Sequence, residues 1–390
     1  MKEAYIVAAK RSAVGKAKRG GFRNFRSDDI AVEVIQGLLK EVPQLDPTLV
    51  DDLIVGCANP EGEQGLQIGR QISLRAMGKK VPGITINRYC ASGLEAIAMA
   101  TAKIKAGMGD VFIAGGTESM SMIPMTGYKL APNYQVASNT PDYIISMGLT
   151  AEAVANKYKI SREDQDEFAY LSHHKAAKAI ENKLFEKEII PIQVPHVEVV
   201  DGSRKESVNT VAVDEGVRTN TSVEALAKLR PVFTNKGTVT AGNSSQTSDG
   251  AAFVLVMSEE KMKELGLEPI GRLVSCTVAG VDPLYMGIGP CAAIPKALLS
   301  AGLSLQDISL VELNEAFAAQ ALAVIREVGL NPDIVNVNGG AIALGHPLGC
   351  TGAKLTTQIL NELHRRGQRY GMVTACVGGG QGIAGIIERF

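Results

Sequence analysis

The chain has 390 residues, of which 45% are apolar and 21% are charged. This composition excludes a disordered or fibrous protein and fits a globular enzyme of two or three domains. The 40 basic and 41 acidic residues nearly cancel, so we expect no dedicated nucleic-acid-binding surface. The six cysteines are dispersed without a CxxC pair, which argues against zinc and for a reducing compartment. The N-terminus is too short and too charged to predict a signal peptide. The stretch 273–294 is interrupted by a charge and by prolines, so we expect no membrane span there and predict a cytoplasmic protein.

Apolar and amphipathic runs alternate up to about residue 118, which predicts a sheet covered by helices. The predicted elements are strand 5–8, helix 28–40, strand 52–55, helix 69–76, strand 83–87, helix 92–106 and strand 111–114. Residues 119–247 differ in character, with a methionine-containing start, a helical pattern over 150–184 and a polar segment up to 217. We expect an inserted subdomain there, followed by a strand over 249–258 that returns to the first half.

The pattern of the first half is repeated from about residue 271. The predicted elements are strand 272–278, helix 291–301, strand 309–313, helix 315–328, strand 334–338, helix 352–365, strand 371–375 and strand 383–388. The segment Ile-Thr-Ile-Asn at 84–87 is echoed by Val-Asn-Val-Asn at 335–338, and each precedes a glycine-containing turn and a long helix. This recurrence predicts an internal duplication of two related α/β halves. Cys90 and the His346 loop would then occupy equivalent strand-to-helix junctions near a pseudo-twofold axis.

Cys90 is the first candidate for chemistry, because it follows a predicted strand and precedes a predicted alanine-rich helix. The positive end of the helix dipole and free backbone N–H groups should stabilise its thiolate. A buried structural thiol is the alternative interpretation.

His346 and Cys376 also lie beside glycines. His346, between Gly345 and Pro347, could activate Cys90 or hold an oxyanion, or it could be a structural histidine. The other four histidines, at positions 173, 174, 196 and 364, are predicted to lie on the surface. Cys376 precedes a Gly-Gly-Gly turn whose free N–H groups could form an oxyanion hole, although a tight turn with an incidental cysteine would have the same sequence. Asn314 has the residue type of an N-cap for helix 315–328.

These residues belong to segments that resemble the thiolase family over essentially the whole chain. The matching segments are Asn-Arg-Tyr-Cys-Ala-Ser-Gly at 87–93, Gly-Gly-Thr-Glu-Ser-Met at 115–120, Gly-Thr-Val-Thr-Ala-Gly-Asn-Ser-Ser-Gln at 237–246, Asn-Glu-Ala-Phe-Ala at 314–318, Gly-His-Pro-Leu-Gly-Cys-Thr-Gly at 345–352 and Cys-Val-Gly-Gly-Gly-Gln-Gly at 376–382. The resemblance implies an α/β thiolase fold, in which two duplicated halves form a layered αβαβα core. It divides the chain into an N-terminal half (1–118 plus 248–270), an inserted loop domain (119–247) that binds CoA and the acyl group, and a C-terminal half (271–390).

The resemblance also implies a chemistry in which coenzyme A is a substrate and no cofactor is needed. Cys90 would carry the acyl group, and Cys376 would serve as the acid and base at the α-carbon of acetyl-CoA. One oxyanion hole would comprise His346 with a water held by Asn314, and the other the backbone N–H groups of Cys90 and Gly378.

For CoA and acyl binding, the resemblance assigns further positions. Arg218 would lie near the nucleotide, Ser245 and Ala241 along the pantetheine, and Phe233 and Phe317 beside it. Ala316 and Met147 complete the predicted binding residues, Met147 in the acyl pocket. The family further implies a homodimer or homotetramer.

The subtype is predicted from details of the motifs. Ser146, Ala91-Ser92 and the segment 243–246 are more similar to degradative 3-ketoacyl-CoA thiolases of β-oxidation than to short-chain acetyl-CoA acetyltransferases, which remain the alternative. Tyr89 and Glu95 depart from the commonest family residues. A ketoacyl synthase would lack Cys376 and its glycine segment, and a thiolase-like lipid carrier would tend to lose a catalytic residue.

Overall fold

The computed structural model describes residues 2–390. The first part of the chain forms β1 (Ala4–Arg11), β2 (Gly15–Lys16), α1 (Ser27–Lys40), β3 (Asp52–Gly56), α2 (Ile68–Ala76), β4 (Gly83–Ile86), α3 (Ser92–Lys105) and β5 (Val111–Ser119). The insertion contributes α4 (Tyr134–Asn139), α5 (Met147–Lys157), α6 (Arg162–Glu181), β6 (Ile192–Val200), β7 (Ser203–Val211) and α7 (Val223–Ala227). The chain then forms β8 (Ser248–Ser258), α8 (Glu259–Glu264), β9 (Arg272–Gly280), α9 (Gly289–Ala301), β10 (Leu310–Leu313), α10 (Ala318–Val328), α11 (Ala341–Leu344), α12 (Thr351–Arg366), β11 (Tyr370–Val377) and β12 (Gln381–Glu388).

Two sheets share one topology. The first has the order β1-β8-β5-β3-β4, with β2 beside β8, and the second has the order β9-β12-β11-β10. In both sheets the first two pairings are antiparallel and the third, β5 with β3 or β11 with β10, is parallel. The predicted duplication is therefore confirmed at the level of strand order and direction.

Helices α3 and α12 pack against each other between the two sheets. In α3 the buried residues Ile97, Ala100, Thr101 and Ile104 follow the three- and four-residue spacing of one helix face. Helices α1 and α2 cover the outer side of the first sheet, and α9 and α10 pack on the outer side of the second. The result is the predicted layered αβαβα arrangement. The domain boundaries predicted at 118, 247 and 270 remain predictions, and β5 continues to Ser119.

The predicted helix 315–328 begins three residues late. Helix α10 starts at Ala318 with Phe317 at the N-cap, so the N-cap interpretation of Asn314 is wrong. Asn314 instead follows β10, and its N–H donates to the carbonyl of Thr374 at 2.9 Å. The polar side chain at the end of this strand is thus left available for the site described below.

The predicted strand 334–338 does not form. Only a single parallel bridge joins Val311 of β10 to Val335. In the first sheet the corresponding position, beside β3, is occupied by strand β4. Asn336 has a φ of 46°, and its side chain makes the bonds that a neighbouring strand would make. Its Oδ1 accepts from the N–H of Leu313 and its Nδ2 donates to the carbonyl of the same residue, both at 2.9 Å.

The insertion also differs from the prediction. The helical pattern over 150–184 is two helices, α5 and α6, because Lys159 adopts a φ of 53° and Ser161 with Asp164 forms a capping box that starts α6. The polar segment up to residue 217 contains the antiparallel hairpin β6–β7.

One helical stretch, Pro283–Ala301, is long and apolar enough to cross a membrane by length and composition. It consists of a 3₁₀ segment, Pro283–Ile288, with non-helical geometry at Tyr285, followed by α9. Helix α9 packs against β9 and β12, so this stretch belongs to the outer layer of the second half.

Candidate active site

Cys90 lies at the tip of a tight turn between β4 and α3, within the 3₁₀ segment Tyr89–Ala91. Tyr89 has a φ of 43°, a conformation that non-glycine residues rarely adopt. Side chains hold the turn: Asn87 Oδ1 accepts the N–H of Tyr89 at 2.8 Å, and Ser92 Oγ accepts the N–H of Arg88 at 2.8 Å. The strained backbone therefore presents the cysteine at a strand-to-helix junction, as predicted from the sequence.

Two glycines bring this junction against its counterpart in the second half. Gly93 and Gly352 lie just inside the starts of α3 and α12. A Cβ on Gly93 would lie 2.7 Å from the backbone nitrogen of Ala353, and a Cβ on Gly352 would overlap the backbone of Leu94. The two helix starts can approach this closely only because both residues lack a side chain. The loops that precede them, which carry Cys90 and His346, are consequently neighbours.

His346 is buried, with its ring held on both sides. Its Nδ1 lies 2.6 Å from the hydroxyl of Thr351, and its Nε2 lies 3.4 Å from Nδ2 of Asn314. Burial, aided by the positive charge of Lys354, lowers the pKa of His346 to about 3, so the imidazole is neutral at physiological pH. The Thr351 hydroxyl also lies 3.0 Å from the carbonyl oxygen of Pro347. The hydroxyl has one proton and can donate it to only one of these two partners. If it donates to the Pro347 carbonyl, Nδ1 of His346 carries the ring proton and Nε2 is an acceptor; if it donates to Nδ1, Nε2 carries the ring proton and is a donor.

Asn314 is fully buried beside the imidazole. Its Oδ1 has no hydrogen-bond partner among the described residues. A buried polar atom without a protein partner commonly marks a place where a ligand or solvent group binds. Asn314 therefore provides both a contact to His346 and a free acceptor in the same location.

Cys376 lies near the end of β11 and is 1% exposed. It belongs to an apolar cluster with Met147, Ala316, Phe317 and three other residues, Ala151, Val239 and Met286. Burial raises the pKa of the Cys376 thiol, and the charge of a nearby Cys90 thiolate raises it further. The Cys90 sulfur thus lies close enough to affect the ionisation of Cys376.

The electrostatics of Cys90 differ from the sequence-based expectation. The backbone N–H groups of Gly378 and of Cys90 itself favour the thiolate, but burial outweighs them and raises the pKa of Cys90 to about 12. The N–H groups thus act in the predicted direction, but their effect on the pKa is smaller than the effect of burial, so the resting thiol is protonated. The same finding shows that both N–H groups face the Cys90 sulfur.

The glycine turn between β11 and β12 forms one wall of the site. Gly379 and Gly380 have φ values of 80° and 82°, which favour glycine. A Cβ on Gly378 would lie 3.6 Å from Sδ of Met147 and 3.7 Å from Cδ2 of Tyr89, and one on Gly379 would lie 2.7 Å from the Tyr143 ring. Met147 therefore lies beside the glycine turn, together with two tyrosines that were not predicted as site residues.

Four of the predicted binding residues contact one another in pairs, and two of the four, Ala316 and Phe317, share the apolar cluster of Cys376. The rings of Phe233 and Phe317 meet edge to face, with centroids 6.1 Å apart. The N–H of Ser245 donates to the carbonyl of Ala316 at 2.9 Å, which joins the insertion to the start of α10. Ala241 is exposed in the same loop as Ser245.

Arg218 makes none of these contacts. It is exposed after β7, and its backbone N–H donates to Nδ1 of His173 at 3.1 Å. His173 is 3% exposed, so its predicted surface location is wrong. Burial lowers the pKa of His173 to about 4, so it acts as a neutral acceptor.

Two site residues were missed from the sequence. Thr351 orients His346, and its hydroxyl five positions after the histidine was the available signal. Glu118 is buried and accepts N–H groups from Ala58 at 2.7 Å and Gly349 at 2.9 Å, so it ties the first half to the loop between His346 and α12. It lies in the matched segment 115–120, to which no role was assigned. Among residues 2–390 there is no cluster of His, Cys, Asp and Glu side chains that could hold a metal ion.

Comparison with known proteins assigns nearly the whole chain to two family domains. Residues 4–260 match the family model described as thiolase, N-terminal domain, and residues 267–389 match thiolase, C-terminal domain. The chain is 53% identical to a 3-ketoacyl-CoA thiolase of Bacillus subtilis (strain 168), with all of both chains covered. It is 46% identical to a 3-ketoacyl-CoA thiolase of Saccharophagus degradans, with 100% of this chain and 98% of the relative covered. The crystal structure of the Bacillus anthracis acetyl-CoA acetyltransferase superposes with a TM-score of 0.89 at 42% identity, with 100% of this chain and 99% of that chain covered.

Proposed function

Because the chain belongs to the thiolase family, we propose that it cleaves 3-oxoacyl-CoA reversibly with CoA, giving acetyl-CoA and a shortened acyl-CoA through an acyl-cysteine on Cys90. The observation that supports this most strongly is that the Gly378 N–H and the Cys376 thiol both lie near the Cys90 sulfur, while the segment that follows His346 packs against the turn that carries Cys90. Acyl transfer between thiols needs a sulfur nucleophile, and cleavage of a carbon–carbon bond needs a second group to protonate the carbon that leaves.

The first half-reaction uses both cysteines. The Cys90 sulfur attacks the 3-oxo carbon and gives its proton to His346, and the bond between the α-carbon and that carbonyl carbon breaks. The departing acetyl-CoA enolate takes a proton from Cys376. The raised pKa of Cys376 keeps it protonated before this step, as an acid must be. The products are acetyl-CoA and an acyl group on Cys90.

The second half-reaction reverses the proton movements. The Cys376 thiolate takes the proton of the incoming CoA thiol, and the CoA sulfur attacks the acyl-Cys90 carbonyl. The tetrahedral intermediate expels the Cys90 sulfur, which recovers its proton from His346. Acyl-CoA leaves, and all three groups return to their starting states.

Two oxyanion holes stabilise the charges that develop. Negative charge on the acyl-Cys90 oxygen would be stabilised by the N–H groups of Cys90 and Gly378, which already favour a charge at this sulfur. Charge on the acetyl-CoA thioester oxygen would be stabilised by His346, with Asn314 supplying the adjoining polar group.

We assign CoA to the surface formed by the insertion and the start of α10. The pantetheine would run along Ala241 and Ser245, between Phe233 and Phe317, with Arg218 at the nucleotide end. Met147 and Ala316 would contact the acyl part. We also propose that the protein acts in the cytoplasm as a homodimer or homotetramer, without a cofactor.

The alternative function is condensation of two acetyl-CoA molecules, which is the activity in the name of the similar solved structure. The relatives with 53% and 46% identity carry the 3-ketoacyl-CoA name, and the residues at 91–92, 146 and 243–246 favour the same subtype. Thiolysis rates with acetoacetyl-, 3-oxooctanoyl- and 3-oxopalmitoyl-CoA separate the two. We expect substantial rates beyond the four-carbon substrate, and a sharp fall there would favour the alternative.

The division of labour between the cysteines is tested by two alanine variants. Cys90→Ala should abolish labelling of the protein by radioactive acetyl-CoA. Cys376→Ala should still accept the acyl label on Cys90, because a CoA thiolate can leave without first taking a proton from Cys376, while thiolysis collapses because the departing carbon needs that proton. Equal loss of both steps in Cys376→Ala would remove the assignment of Cys376 as the separate acid and base.

A further inference from the structure

The acyl-thioester oxyanion hole is built from two loops that belong to different halves of the chain. The N–H of Cys90 comes from the β4–α3 junction, and the N–H of Gly378 comes from the β11–β12 turn. Both must stay within hydrogen-bonding distance of one oxygen, so the spacing between the loops has to be fixed.

Apart from the contact of the Gly378 N–H with the Cys90 sulfur, one hydrogen bond within residues 2–390 joins the loop 87–93 directly to the turn 376–382. It runs from Nη1 of Arg88 to Oε1 of Gln381 at 3.0 Å. Gln381 pairs with Val377 and so closes the glycine turn. A guanidinium has only donors, so the Gln381 atom that faces it must be the oxygen.

A third residue fixes the guanidinium. Glu95 on α3 accepts from Nε of Arg88 at 2.8 Å and from Nη2 at 3.3 Å. This forked pairing restricts the planar group more than a single bond would. Arg88 is thereby attached to the helix that Cys90 precedes, and its remaining Nη1 reaches across to the other half.

We propose that Arg88 is a positioning residue, which through Gln381 holds the Gly378 N–H at the acyl-thioester oxygen on Cys90. Arg88 and Gln381 touch no reacting atom in this scheme. The inference rests on the proposed function, because it concerns the oxyanion hole of the acyl-enzyme. A displacement of the turn by about 1 Å would be enough to reduce the rate up to about 100-fold.

Gln381→Leu tests the bridge in the full-length protein. We expect kcat for thiolysis to fall roughly 10- to 100-fold, with KM for CoA within about twofold of the wild type, because CoA binds on another surface. Gln381→Glu keeps an acceptor for Arg88 and should restore most of the loss. A fall in kcat of less than twofold in Gln381→Leu, or an equal loss in Gln381→Glu, would overturn the proposal.

A double-mutant cycle with Arg88→Met provides the second readout. If both residues act through one bridge, kcat of the double variant should be no lower than kcat of the more impaired single variant. If the two fold-losses in kcat multiply instead, the residues do not share a role.

Arg272 offers a matched control, since its side chain is 30% exposed, against 29% for Arg88, and pairs with Glu388 at the far end of β12. Arg272→Met should leave kcat within twofold, and a loss like that of Gln381→Leu would indicate general destabilisation of the sheet and overturn the proposal. Absence of thiolysis in the wild type would instead refute the proposed function, and the inference with it.

Discussion

Thr351→Val removes the hydroxyl that orients His346 while keeping nearly the same side-chain volume. Thr351 and His346 are 1% and 4% exposed, so water does not readily replace the lost 2.6 Å contact to Nδ1. An unsatisfied buried polar group costs about 1–3 kcal/mol. If the whole of that cost is added to the activation free energy, because the imidazole is no longer held in position, kcat falls roughly 5- to 150-fold.

The assay is steady-state thiolysis of a 3-oxoacyl-CoA, combined with urea unfolding to measure stability. Thr351→Ser keeps the hydroxyl and should keep most of the activity. Thr356→Val is the matched control, because Thr356 lies on the same helix, is equally buried, and bonds only to the backbone carbonyl of Gly352 at 2.8 Å. If Thr351→Val retains kcat within twofold, or if Thr356→Val loses as much, the hydroxyl does not orient His346.

Three further predictions follow from the same geometry. Because burial raises the pKa of Cys90 to about 12, its alkylation rate should rise roughly tenfold per pH unit from pH 7 to pH 10, whereas an unperturbed thiol would plateau near pH 9. Arg11→Met leaves the buried carboxylates of Glu188 and Asp214 unpaired and should lower the free energy of unfolding by about 3–5 kcal/mol in urea titrations; a loss below 1 kcal/mol would contradict this. Gly379→Ala, at a φ of 80°, should cost about 1–2 kcal/mol from backbone strain alone, and an unchanged urea midpoint would contradict it.

The sequence was sufficient to predict the duplicated halves, because each buried strand and helix carries its own apolar pattern. Strands β3, β8 and β12 and helices α1 and α2 lie within a few residues of their predicted positions. The site residues were predicted by resemblance, and their neighbours in space were not. Tyr143 reaches the glycine turn from the insertion, and no local pattern in its segment indicates that contact.

The errors arise where a side chain replaces a backbone interaction or where burial opposes a local effect. Asn336 satisfies Leu313 in place of a neighbouring strand, so a sequence that alternates like a strand does not become one. His173 lies in a charged helical segment, yet it is buried and accepts from a distant backbone N–H. Both outcomes depend on partners far away in the sequence, which periodicity cannot reveal.

The raised thiol pKa values and the oxyanion hole have one common cause. The partial removal of Cys90 from water, which raises its pKa to about 12, also weakens the screening of the N–H groups of Cys90 and Gly378 by solvent. A thiolate of high pKa is intrinsically the stronger nucleophile once formed, and a Cys376 of raised pKa holds the proton that the departing carbon requires. Burial therefore lowers the reactivity of Cys90 in the resting enzyme. It nevertheless favours the transition state, because it strengthens the hydrogen bonds of the N–H groups to the oxyanion, makes the Cys90 thiolate more nucleophilic and keeps the proton on Cys376.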